Sequence, residues 1–282
     1  MKEMNKIIAK EELAEGITRI MLEAPQIARK ARAGQFVVVI LDEKGERVPL
    51  TLADWDKDKG TINLIFQQVG FTTKKLGALD KGDNIEHILG PLGHPTEIKK
   101  IGTVICIGGG VGIAEVYPIS RAFKEAGNRV IGIIGSRSKE LLILEDKMQR
   151  LCDELFITTD DGSYSRKGFV TDALKELFEA IEKSAQSKYP DLVYCIGPVP
   201  MMKAVSELTR VYNVKTIASL NPVMVDATGM CGSCRCNVGG KTVFGCVDGP
   251  NFDAHQVDFD ELEKRLKLFV EQEGAINAKL VA

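Results

Sequence analysis

No apolar run in this 282-residue chain approaches the roughly 18 residues that a membrane-spanning helix needs. Neither sign of charge dominates. The 37 Lys and Arg residues against 39 Asp and Glu leave a net charge of -2, which excludes the electrostatic footprint of a nucleic-acid binder. The first residues, MKEMNKIIAKEELAEG, are charged and lack the apolar stretch of a secretory signal, so the chain is expected in the cytoplasm. There is no internal repeat, no low-complexity tract, no CxxCH haem motif and no second cysteine cluster. What is present is length enough for two ordinary domains and an apolar fraction of 44%, enough to bury a core. In a reducing compartment, clustered cysteines point to metal or redox chemistry rather than disulfides.

The pattern of the chain changes twice. Residues 1–98 carry short segments rich in β-branched residues, GITRIMLEAP, GQFVVVILD and GTINLIFQQVG, bounded by Gly, Asp and Pro. Short strands at near-regular spacing suggest a small antiparallel β-barrel. GPLGHPTE, with two glycines and two prolines, marks its end. Residues 99–220 alternate apolar strand-like runs with helical spacing, the signature of an α/β domain with a mostly parallel sheet. Residues 221–282 hold a cysteine cluster followed by one expected charged helix, VDFDELEKRLKLFVEQE.

In the α/β part, GGGVG places Gly108, Gly109, Gly110 and Gly112 between a strand and a helix. A phosphate can approach backbone that carries no side chain, and a helix N-terminus favours its charge. The spacing is not the GxGxxG fingerprint, and a tight βα turn without a ligand is the plainer alternative. Two further loops, TTDDGS (158–163) and CIGPVPMM (195–202), fall at C-terminal ends of expected strands, where open parallel sheets bind ligands.

DATGMCGSCRCNVGGKTVFGC, residues 226–246, contains four of the seven cysteines. Thiolates suit zinc or the iron of an iron–sulfur cluster. Cys231 and Cys234 form a CxxC turn with Gly232 inside it, and Cys246 follows after what reads as a hairpin. The fourth ligand is Asp226 or Cys236. Asp226-x4-Cys231-x2-Cys234 matches the plant-type ferredoxin spacing with aspartate in the first place, whereas Cys236 would be crowded by Cys234. A structural zinc held by four cysteines is the alternative. Cys106, Cys152 and Cys195 stand alone in apolar surroundings and are expected to be core residues.

Barrel, glycine-bearing nucleotide domain and cysteine segment, in that order, resemble the ferredoxin-NADP reductase superfamily across nearly the whole chain. The order is similar to the electron-transfer subunits of dihydroorotate dehydrogenase. Those carry cysteine at the first ligand position, so Asp226 brings the chain nearer the small subunits of NADH-dependent ferredoxin-NADP oxidoreductases, also described as sulfide dehydrogenases. The resemblance implies FAD on the barrel at RVPLTLAD, through Pro49, Leu50 and Thr51, and at IFQQVGFTTKKL, through Gly70, Thr72 and Thr73. The family's arginine position is filled by Val48, with Arg47 one residue early. NAD(H) is implied at Gly109, Gly110 and Val111, with Asp160, Gly197 and Pro198 completing that face. Arg137 is either an adenosine 2′-phosphate partner or a solvated loop charge. A 2Fe–2S cluster is implied at Asp226, Cys231, Cys234 and Cys246. The expected function is an electron-transfer flavoprotein subunit passing electrons between NAD(H), FAD and the cluster to a larger flavin and iron–sulfur partner subunit, with ferredoxin reached indirectly, and without nucleic acid or membrane partners.

Overall fold

The computed structural model describes residues 5–43, 45–184 and 188–278. The chain divides into two compact units. One comprises the residues up to Pro95, Asn221–Pro250 and the residues from Asp260 on; the other comprises Thr96–Leu220 and Asn251–Phe259.

In the first unit the chain runs β1 (Ile7–Ala14), β2 (Ile17–Glu23), α1 (Pro25–Lys30), β3 (Phe36–Ile40), β4 (Val48–Asp56), β5 (Thr61–Gln67), α2 (Phe71–Ala78) and β6 (His87–Leu92). The strands form one antiparallel sheet in the order β1-β2-β5-β4-β3-β6. Alternate side chains enter its core: Ile20 and Leu22, Val37 and Val39, Ile62 and Leu64, all fully buried. Phe36 and Val38 point the other way and are buried as well, in a second cluster with Ala227, Cys234 and Cys246. Strand β3 is therefore covered on both faces, which is why GQFVVVILD reads as an unbroken apolar run. The expected antiparallel barrel is not closed by a strand pairing. Among the described residues, β1 and β6 share no ladder; the start of β1 instead meets the segment before β6, through a bridge between Lys6 and Asn84 and hydrogen bonds of Ile7 with Gly82 and Asp83.

The second unit runs β7 (Thr103–Gly109), α3 (Gly112–Glu125), β8 (Arg129–Ser136), a 3-10 turn (Lys139–Leu141), α4 (Glu145–Leu151), β9 (Glu154–Thr159), β10 (Arg166–Lys167), α5 (Val170–Lys183), β11 (Leu192–Ile196), α6 (Val199–Val211) and β12 (Thr216–Ser219). The cysteine segment adds β13 (Arg235–Val238) and β14 (Lys241–Phe244) to the first unit as a hairpin. Then β15 (Asn251–Asp253) returns to the α/β sheet, in the order β10-β9-β8-β7-β11-β12-β15. All its pairings are parallel except β12 with β15. From β7 the chain winds out through β8 and β9, then crosses to β11 and β12 on the other side. The order thus reverses between β7 and β11, the place where open α/β sheets bind ligands.

The 3-10 turn Ala254–Gln256 follows β15 and is pinned to α6. The Ser206 hydroxyl donates to the Ala254 carbonyl at 2.9 Å, Arg210 donates to the His255 carbonyl, and His255 Nε2 lies 3.0 Å from Thr209 Oγ1. The expected single C-terminal helix is two, α7 (Phe259–Leu266) and α8 (Val270–Ala278). Among the described residues no helix is long and apolar enough to cross a membrane.

Candidate functional site

The cysteine segment is shaped by its small residues. Gly232, at φ 68, turns the chain between Cys231 and Cys234 as few residues with a side chain could. Gly239 and Gly240, both at positive φ, make the two-residue turn between β13 and β14. The hairpin brings Cys246 back to Cys234, and their sulfurs lie 3.2 Å apart, buried against Phe36 and Val38 of β3. Burial, then the neighbouring Cys234, pushes the Cys246 thiol up to about 12.

Cys231 is exposed, with its sulfur 3.2 Å from the Ser233 hydroxyl. Hydrogen bonds from the Ser233 hydroxyl and N–H, and then from the backbone of Asp226 and Val225, hold its thiol below the ordinary range. The Asp226 carboxylate is held low mainly by the Thr228 hydroxyl, with Arg47 contributing. Cys236 follows Cys234 by two residues, on β13. It is buried, lies 3.6 Å from the Cys234 carbonyl, and burial pushes its thiol up to about 12.

Among the described residues no three His, Cys, Asp or Glu side chains converge to hold a single ion. A two-iron cluster asks for something else, two ligand pairs on neighbouring irons. Cys234 and Cys246, with sulfurs 3.2 Å apart, could hold one iron. Asp226 and Cys231, carried on the one loop 225–233, are the candidates for the second. The donor set fits such a cluster.

The expected flavin residues lie on β4 and at the start of α2. Val48, Pro49, Leu50 and Thr51 stay half-buried although β4 is flanked by β3 and β5, which leaves a face open to a ligand. Leu50 packs against the first core, so its side chain is partly committed to protein. At α2 the Thr73 hydroxyl accepts from Gly70 N–H at 3.0 Å and donates back to its carbonyl, capping its own helix. The Thr72 hydroxyl donates to Glu46, beside a cavity of about 230 Å³ lined by Asp42, Phe71 and Lys75. Both threonine hydroxyls are thus engaged, and the first-turn backbone N–H groups of α2 are what remains for an anion.

In the α/β unit the glycines meet at the strand-order reversal. A Cβ on Gly112 would fall 2.6 Å from the Ile196 carbonyl, and one on Gly109 would strike Met201. Gly110, at φ 58, faces open space. Gly109 ends β7 and Val111 precedes α3, while Gly197 and Pro198 join the adjacent β11 to α6. These five residues lie together at neighbouring strand ends. Asp160 follows β9, two strands away from β7. Burial, then Asp161, raises its carboxyl above the usual value, and Arg137 opposes this. Cys106 and Cys195 are fully buried strand residues whose thiols burial pushes up to about 12, and Cys152 reaches about 11 for the same reason.

Sequence reasoning missed two sets of residues. Arg47, 179 positions away, forms an ion pair with Asp226 at 2.6 Å. Arg265 of α7 donates to the Ser233 carbonyl at 2.9 Å and braces the loop from another side. Phe36 and Val38 as the seat of the cysteines were foreshadowed by the two-sided apolar run of β3.

Two known families match parts of the chain. The iron-sulfur cluster binding domain of dihydroorotate dehydrogenase B matches residues 221–258, and the oxidoreductase NAD-binding domain matches residues 106–207. A Thermotoga maritima protein described as a homolog of the dihydroorotate dehydrogenase B (NAD(+)) electron transfer subunit is 45% identical, over 96% of this chain and 93% of its own. The electron transfer subunit of dihydroorotate dehydrogenase B (NAD(+)) from Shouchella clausii is 32% identical, over 89% and 96%. Among solved structures, a chain of the NADH-dependent reduced ferredoxin-NADP oxidoreductase, reported for flavin-based electron bifurcation, superposes with a TM-score of 0.92 at 43% identity. That match covers 100% of this chain and 99% of the other.

Proposed function

The chain belongs to the family of dihydroorotate dehydrogenase B electron-transfer subunits and their homologues, on a ferredoxin-NADP reductase-like two-domain fold, and from that premise we propose that it is the electron-transfer subunit of an NADH-dependent ferredoxin-NADP oxidoreductase. It is an oxidoreductase subunit that passes electrons between NAD(H), FAD and a 2Fe–2S cluster. A bound flavin would supply the conversion that neither NAD(H) nor the cluster can make alone, from one hydride carrying two electrons to single electrons for iron.

The chain's own residues bind and orient. We assign FAD to residues 1–98, with Pro49, Thr51 and the start of α2 at Gly70 as its support and Leu50, Thr72 and Thr73 shaping that surface. NAD(H) is assigned to residues 99–220, at Gly109, Gly110, Val111, Gly197 and Pro198 with Asp160 at the edge. The cluster is assigned to residues 221–282, where Asp226, Cys231, Cys234 and Cys246 would hold it. The 2Fe–2S reading is supported above all by one observation: a buried pair of cysteine sulfurs, with half-buried Asp226 and exposed Cys231 beside it in a segment anchored to β3 and to the residue before β4.

Electrons then leave to a larger flavin and iron–sulfur subunit in the cytoplasm, with ferredoxin beyond it. The family names favour a second reading, the electron-transfer subunit of dihydroorotate dehydrogenase. The subunit that co-purifies separates the two. The first test is a visible spectrum of the purified chain with iron, zinc and acid-released flavin measured on one sample. About one FAD and about two irons per chain are expected. Zinc without flavin would sink the reading.

A further inference from the structure

We propose that Arg47 is the positioning residue of the aspartate ligand, fixing the Asp226 carboxylate toward the cluster and stabilising the added electron there. The inference rests on the reading of Asp226 as a ligand. One guanidinium nitrogen, Nη1, donates to Asp226 Oδ1 at 2.6 Å and to the Asp226 main-chain carbonyl at 3.1 Å. The other carboxylate oxygen accepts from the Thr228 N–H at 3.2 Å and from its hydroxyl. Each oxygen has its own donor, so the carboxylate cannot rotate freely, and the residue's backbone is held by the same arginine.

This arrangement is poor value as a stability device. The Arg47 and Asp226 side chains are 37% and 24% exposed. Pairs this exposed to solvent contribute little to folding. What the pair does achieve is registration. Arg47 immediately precedes β4, and Val48 of β4 pairs with Val39 of β3. Strand β3 in turn seats Cys234 and Cys246 through Phe36 and Val38. The proposed ligand pairs are therefore referenced to β3 and β4, and β4 carries the proposed flavin residues Pro49 and Thr51. Along extended chain, Arg47 is roughly 7–13 Å from those residues.

The sign of the electronic effect follows. A reduced cluster carries one more negative charge, and a fixed cation beside a ligand oxygen favours it. Outer hydrogen bonds and local charge are recognised levers on cluster potential and ligand geometry.

The test compares the full chain, carrying its flavin and iron, with Arg47→Gln and Arg47→Lys. Iron and flavin per chain, the electron paramagnetic resonance of the reduced cluster and its midpoint potential are read for each. Arg47→Gln is expected to keep both cofactors, change the resonance and move the potential to more negative values. Arg47→Lys is expected to return it toward the original. If Arg47→Gln loses iron, recovery in Arg47→Lys upholds the proposal, and loss of iron and flavin in both overturns it. A flavin content that falls tenfold with an unchanged cluster signal would assign Arg47 to the flavin and overturn it too. So would an unchanged potential and resonance in Arg47→Gln. Failure of the underlying ligand reading shows separately: Asp226→Cys would then leave the cluster spectrum as it was.

Discussion

Asp226 and Cys236 compete on paper for one ligand position, and their surroundings separate them. Cys236 directs its sulfur to the Cys234 carbonyl, 3.6 Å away, whereas the Cys234 and Cys246 sulfurs meet at 3.2 Å. Asp226 is anionic, half-buried and held by Arg47 and Thr228. Cys236→Ala is therefore expected to keep its iron and cost about 1 kcal/mol of stability, an ordinary penalty for a buried residue. Asp226→Cys is expected to keep a cluster with altered absorbance, because a softer ligand replaces a harder one. Iron analysis and visible spectra of the two variants decide it, and iron lost from Cys236→Ala would reverse the assignment. The cysteine spacing alone offered three candidate ligands, in a segment that matches an iron–sulfur cluster binding domain. Arg47 was not, since nothing in a linear pattern links positions 179 residues apart.

Strands and long helices were readable where their periodicity had room to repeat, as in α5, which buries Val170, Ala173, Leu174 and Phe178 along one face. Helix α1 has six residues and buries only Ile27 and Ala28, and the first turn of α2 carries two β-branched threonines after Phe71; neither shows a helical period. The split between α7 and α8 falls in KLF, where no proline or glycine announces it. A smaller element carries a pH dependence. His255 is half-buried against α6, and burial, then Arg210, lowers its pKa, while Asp253 opposes them. The unfolded histidine titrates near ~6.5, so below that pH the unfolded chain binds the proton more readily than the folded one. Stability is then full above ~6.5 and falls as pH drops toward the folded value. Urea unfolding at pH 5.5 and 7.5, followed by circular dichroism, should show a larger acid loss for the wild-type chain than for His255→Asn. Equal losses would mean the latch on α6 is indifferent to protonation.

Each of the two units has its own core, and the aromatic residues are divided between them in a useful way. The single tryptophan, Trp55, packs on the core of the first unit, whereas all five tyrosines, at positions 117, 164, 189, 194 and 212, belong to the second. The cysteine segment is part of the first unit, and β15 and the His255 turn are part of the second, so the residues after 220 serve both. That division could not be read from composition, because the sequence there looks like one appendage. It carries a prediction. Removing iron with a chelator leaves Cys234 and Cys246 without metal but still buried against β3, and the metal's binding free energy is lost from the unit that holds it. Each kcal/mol lost should lower that unit's transition by about 3 °C. Trp55 fluorescence is expected to report this shift, while the near-ultraviolet dichroism of the tyrosines melts where it did before. Addition of NADH should raise the tyrosine transition in the iron-free chain as much as in the loaded one, since ligand binding stabilises the unit that binds it. If both signals fell together on chelation, the cluster would be supporting the whole molecule, and its assignment to one unit's stability would be wrong.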